Sequence, residues 1–128
     1  MKLFTSLLLF TLLVFTACGT SSDDCVGDNC VCPVSGGCEH ECTAGGSQCH
    51  IQGSSGPVDI QCADNEECHV ECASSASCNV DCGNSSECHV TCPATGCEVT
   101  DCVGAGCVVS CGLFAGAATR NGSTATCP

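Results

Sequence analysis

Between Cys38 and Cys111 apolar and polar positions alternate in short blocks that return about every ten residues. The clearest are Cys68-His69-Val70-Glu71-Cys72, Cys78-Asn79-Val80-Asp81-Cys82 and Cys88-His89-Val90-Thr91-Cys92. Looser copies follow at Cys97-Glu98-Val99-Thr100-Asp101-Cys102 and Cys107-Val108-Val109-Ser110-Cys111. Earlier ones are Cys38-Glu39-His40-Glu41-Cys42, Cys49-His50-Ile51-Gln52-Gly53 and Val58-Asp59-Ile60-Gln61-Cys62. A period of two is the mark of a β-strand with one face buried. It turns Cys, Val and Cys to one side and His, Asn, Glu, Asp or Thr to the other. Between copies lie Ser, Ala, Gly, Asn, Pro and Glu, which suit turns and loops. Cys97 to Cys102 carries one residue more than its neighbours, and this predicts a bulge. His40 takes the inward valine slot and marks an irregular, partly exposed first coil.

Two substitutions within the pattern point to the disulfide pairing. Gly53 stands where a second cysteine belongs, and Val58 stands where the next copy's first cysteine belongs. If those neighbouring slots normally bond to each other, their joint loss leaves no orphan thiol. The rule pairs Cys42 with Cys49, Cys62 with Cys68, Cys72 with Cys78, Cys82 with Cys88, Cys92 with Cys97 and Cys102 with Cys107. Cys32 with Cys38 fits the same spacing, and Cys25 with Cys30 and Cys111 with Cys127 close the ends. Spacing alone does not determine connectivity, so the pairing is an expectation.

The same spacing limits the topology. Cysteines at the two ends of a five-residue strand stand ~13 Å apart, beyond disulfide reach. Consecutive copies must therefore run in opposite directions. Two all-β architectures satisfy this. One is a flattened, disulfide-stapled β-roll, a solenoid with two copies per turn and a thin core of valine and cystine. The other is an antiparallel meander with each hairpin closed by a disulfide. The roll is favoured because it covers the valine face from both sides, which a single sheet does not. Its cysteine spacing is similar to that of insect antifreeze β-helices, whose outward Thr-x-Thr ladder is missing here. The short repeats also resemble calcium-binding β-rolls, without their Gly-Gly-x-Gly-x-Asp motif. Both likenesses cover residues 38 to 111 and imply architecture alone.

Composition changes the picture of the core. From Cys18 onward, Leu, Ile, Val and Phe together supply 15 of 111 residues, with no Trp, Tyr or Met. That falls below the ~20% under which a charged chain usually stays disordered. Crosslinks must replace buried area.

The N-terminal segment supplies the context for crosslinking. Met1-Lys2 is followed by an apolar run from Leu3 to Phe15 and then Thr16-Ala17-Cys18. This is the layout of an export signal, and it is too short to span a bilayer. Phe15-Thr16-Ala17-Cys18 resembles the lipobox of bacterial lipoproteins, departing at Phe15, where leucine is commoner. The resemblance implies a Cys18 that is lipidated on sulfur and becomes the new N-terminus, so that the membrane is the first partner. The absence of Asp after Cys18 implies the outer rather than the inner membrane of the cell envelope. The alternative is an ordinary cleaved signal that leaves Cys18 for a disulfide. Of 19 cysteines, lipidation of one leaves an even set for pairing. The expected organisation is a signal peptide over 1–17, an anchor and polar tether over 18–24, the Cys-rich repeat over 25–111 and a cap over 112–128. Leu113-Phe114 would cover the roll's open end before Cys127 closes it.

Charge and motifs then narrow the function. Arg120 faces 14 acidic residues once Lys2 leaves with the signal, so no nucleic acid is expected as partner. There is no nucleophile elbow, zincin motif, P-loop or C-x-x-C, and no enzyme or cofactor is expected. The expected function is that of a structural or interaction lipoprotein with an unknown protein or surface ligand. The alternative is metal sequestration. In its metallothionein-like form, thiolates hold a soft metal. In its second form, outward His69, Glu71, Asp81 and His89, with Asn79 beside them, gather on the roll and offer imidazole and carboxylate to zinc, copper or nickel. Asn84-Ser85-Ser86 and Asn121-Gly122-Ser123 match the glycosylation sequon, which carries no meaning in a bacterium.

Overall fold

The computed structural model describes residues 27–65, 67–112 and 116–128. Signal segment 1–17, tether 18–24 with Cys18, Cys25 and the capping pair Leu113-Phe114 lie outside the described residues. Within them every regular element is a strand: β1 (Asn29–Val31), β2 (Cys38–Glu41), β3 (Gln48–Gln52), β4 (Pro57–Gln61), β5 (Glu67–Glu71), β6 (Ser77–Asp81), β7 (Glu87–Cys92), β8 (Cys97–Thr100), β9 (Cys107–Cys111), β10 (Gly116–Ala117), β11 (Thr119–Asn121) and β12 (Thr124–Cys127).

The strands form two sheets. One has the order β1-β3-β5-β7-β9-β10 and the other β11-β12-β8-β6-β4-β2. Consecutive copies from β1 to β9 thus alternate between sheets, and within each sheet they pair in parallel. The chain is a β-roll of about four turns with two copies per turn. The meander is excluded because no two consecutive strands among β1 to β9 are hydrogen-bonded to each other.

Register follows the repeat. Ile51, Val70, Val90 and Val109 stack along the inner side of the first sheet. Ile60, Val80 and Val99 do so in the second. All seven are buried. Burying one such side chain contributes roughly 1.5–3 kcal/mol, so a single column per sheet is a thin core. Disulfides complete it at both edges. They join Cys32–Cys38, Cys42–Cys49, Cys62–Cys68, Cys72–Cys78, Cys82–Cys88, Cys92–Cys97, Cys102–Cys107 and Cys111–Cys127. Six of them are the pairs that the joint loss at Gly53 and Val58 pointed to, Cys32–Cys38 repeats their spacing, and Cys111–Cys127 is the expected end closure. Cys30 is also in a disulfide, while its expected partner Cys25 lies outside the described residues. A loop of about six residues closed this way is worth ~2 kcal/mol in the chain-entropy model.

The vacated slot has been closed by its neighbours. A Cβ on Gly53 would stand 2.5 Å from Ser75 Oγ, 2.8 Å from the Glu71 carbonyl and 3.2 Å from Val58 Cγ2. Valine and serine fill the place of a disulfide.

Turns stack as the strands do. The buried Asn65 donates from Nδ2 to the carbonyls of Cys62 (2.6 Å) and Thr43 (3.1 Å), tying its turn to the one below. Ser55, Ser85 and Thr95 hydroxyls donate to carbonyls about one coil earlier. At the corner after β6 the backbone comes close to its neighbour: a Cβ on Gly83 (φ +55°) would lie 2.5 Å from the Ala63 carbonyl. Only glycine accepts both that torsion and that approach.

The bulge expected within Cys97 to Cys102 is not inside the strand. β8 remains in register to Thr100, opposite Asp81, and the extra residue is taken up at the corner by Asp101 with φ +50°. Asp tolerates this left-handed conformation better than most side chains. Inward residues keep their parity because the insertion falls where pairing has ended.

After β9 the chain reverses. β10 adds antiparallel to β9, β12 adds antiparallel to β8, and β11 covers β12. Both sheets are thus continued at this end by antiparallel strands, which replace parallel edges open to another chain. Arg120 on β11 donates to the carbonyls of Cys102 and Cys107. Arg120, the sole Lys or Arg after Lys2, is therefore spent on the cap.

Candidate functional site

Alternation sends chemistry outward, and the in-register stacking decides which residues meet. On the first sheet Asn29, His50, His69, His89 and Val108 form one column. Neighbouring parallel strands lie about 4.8 Å apart, so the three imidazoles are adjacent. The His69 and His89 rings stack at 4.6 Å with planes 17° apart. The His50 and His69 rings meet edge to face, at 5.8 Å and 73°.

Carboxylates flank this column on the same face. Gln48, Glu67 and Glu87 align on one side, and Gln52, Glu71 and Thr91 on the other. Glu67 sits two residues before His69, and alternation carries both side chains to the same face. Its Oε1 stands 2.9 Å from His69 Nε2, and its Oε2 accepts a 2.8 Å hydrogen bond from Gln48 Nε2. The His69 nitrogen is covered yet makes no hydrogen bond. The contact is one of distance alone. A cleft of about 460 Å³ opens beside these groups, lined by Asp28, Asn29, Gln48, His50, Glu67 and His69. Asp28 is already engaged, since its Oδ1 accepts from the Thr43 amide at 2.8 Å and lies 3.8 Å from His40 Nε2.

The second sheet presents a different face. Glu39, Asp59, Asn79 and Glu98 form one outward column, and Glu41, Gln61, Asp81 and Thr100 the other. Its one histidine, His40, takes the inward slot in register with Ile60 and is mostly covered.

This arrangement corrects one expected constellation. His69, Glu71 and His89 share the first sheet, whereas Asp81 and Asn79 lie on β6 in the second. Two copies per turn send alternate copies to opposite faces, so Asp81 cannot join the imidazoles. His50 and Glu67, outside the expected set, join His69 on this face. Their signal was present in the sequence: in a two-copy turn, residues 50, 69 and 89 of alternate copies must stack.

Cysteine-based metal binding has its own geometry. Sulfur atoms converge within 4.8 Å in the groups Cys62, Cys68 and Cys88, then Cys82, Cys88 and Cys107, and Cys92, Cys97 and Cys127. His40 converges likewise with Cys42 and Cys49. Every cysteine in these groups is in a disulfide, and thiolate is the form that ligates metal. In the oxidised fold the clusters are stacked cystines. The crosslinks also place the folded chain in an oxidising compartment outside the cytosol.

In comparisons with protein-family models, curated proteins and solved structures, none matches this chain.

Proposed function

We propose that this protein is a non-enzymatic, lipid-anchored lipoprotein of the bacterial envelope, a rigid module that displays two chemically distinct flat faces. One observation carries the reading: corner disulfides and a one-residue-deep core use up the inward positions, and the ionisable outward residues stand in ordered columns. A crosslinked roll keeps those columns in register outside the cell, where proteases and dilution work against weakly packed domains. The lipid on Cys18 and the polar tether behind it would hold the module at the outer membrane, with a protein or surface molecule as partner. The antiparallel strands at the C-terminal end suit a module that stays single at that end rather than extending by strand addition.

Intact mass spectrometry of the membrane-fraction protein tests this, with thiol alkylation before and after reduction. The expected result is a lipidated Cys18 and no alkylation until reductant is added. A Cys18→Ala variant is expected to leave the membrane fraction with its disulfides intact. Free thiols in the unreduced protein, or an unlipidated Cys18 in the membrane fraction, would overturn the reading.

A further inference from the structure

We infer that the first sheet carries a binding site for a divalent late first-row cation of the zinc class, made by His50, His69 and Glu67. This goes beyond a role in display and does not depend on the anchor. Imidazole nitrogen with carboxylate oxygen is a donor set that zinc, copper and nickel accept. The three side chains line one cleft of about 460 Å³ on the outward face.

Geometry distinguishes the His69–Glu67 pair at its centre from an ordinary patch of surface histidines. Donors bound to one zinc at about 2.0–2.1 Å stand roughly 2.9–3.4 Å apart. His69 Nε2 and Glu67 Oε1 are already 2.9 Å apart, with no hydrogen bond joining them. A nitrogen lone pair and a carboxylate oxygen so placed can share an ion without moving the backbone. His50, on the adjacent strand, meets the His69 ring edge to face and is exposed; the three donor atoms do not all lie within 4.8 Å of one another, so the site is completed only when the His50 ring turns toward the pair. Gln48 holds the other oxygen of Glu67 and so fixes the carboxylate, as partners beyond the ligands do in metal sites.

His89 has a different part. Its ring is stacked on that of His69, and nearly parallel rings point their nitrogens side by side rather than at one ion. His89 positions the His69 ring from the side away from the cleft. The fourth place on the metal is left to water or to a donor from a partner.

The test is Zn²⁺ titration of the oxidised protein against a chromophoric chelator, with disulfide content checked by mass for every variant. One ion per chain is expected. His50→Gln and His69→Gln should each lower affinity about tenfold or more, with Glu67→Gln comparable. His89→Gln should lower it only a few-fold, and Asp81→Asn on the other sheet should leave it unchanged. These positions are outward-facing, so the fold is expected to survive each change. Unchanged affinity in the His50→Gln/His69→Gln double variant would overturn the proposal. So would equal losses with Asp81→Asn, or binding that arises only after reduction, which would locate the metal on thiolates.

Discussion

The two sheets of the roll share one inward side and differ in the outward one. Inside, both carry a column of Val and Ile flanked by cystine, in the same register. Outside, the first sheet stacks three histidines with carboxylates beside them, whereas the second carries Glu39, Glu41, Asp59, Asp81 and Glu98 with no imidazole among them. The difference shows how the roll separates its tasks. Parity assigns a residue to the core or to solvent, and the number of the copy, odd or even, assigns it to one face or the other. A two-copy turn thus lets one repeat carry two unrelated surfaces.

The largest effect should come from breaking what the sheets share. Reduction in mild denaturant is expected to abolish the β-sheet circular dichroism of both sheets together, because the residual apolar core is too small to hold either. If one set of strands survived, the sheets would have independent cores. Next come the buried isoleucines. Ile51→Ala in the first sheet and Ile60→Ala in the second should each cost about 2–5 kcal/mol in denaturant unfolding of the oxidised protein. Both positions are fully buried, so the two losses should be alike, and a large inequality would break the equivalence of the inner sides.

A smaller loss is expected at the slot that lost its disulfide. Gly53→Ala should destabilise by about 1–3 kcal/mol, since its Cβ has no room beside Ser75 Oγ and the Glu71 carbonyl. Ser75→Gly should recover part of that loss, which chemical unfolding of the double variant would measure. The smallest effects separate the outer sides. Asp59 neighbours Glu39 across parallel strands, and Asp59→Asn should raise stability by about 0.2–1 kcal/mol at low salt, vanishing at high salt. Glu67→Gln should give a smaller gain, because Glu67 stands opposite Glu87 but also has Gln48 and His69 as partners.

Much of this was legible from alternation and cysteine spacing. The inward Val column, the edges where disulfides fall and the reversal between consecutive copies all follow from a five-residue copy being too long to crosslink its own ends. The candidate site was legible only in part. His69 and His89 were visible as outward residues, but a site grouped from consecutive copies drew in Asp81 and passed over His50. Sequence neighbours in this fold are on opposite faces, and the true neighbours are about twenty residues away.

The sequence by itself determined an all-β repeat, its inward and outward residues and the pairs of cysteines that can meet, because these depend on strand periodicity and on the reach of short loops. The tertiary structure decided which outward residues become neighbours, where the odd residue of the Cys97–Cys102 copy goes, and how the C-terminal strands close the end. Those outcomes depend on contacts between chain segments about twenty residues apart, which closure of the roll creates and no local pattern encodes.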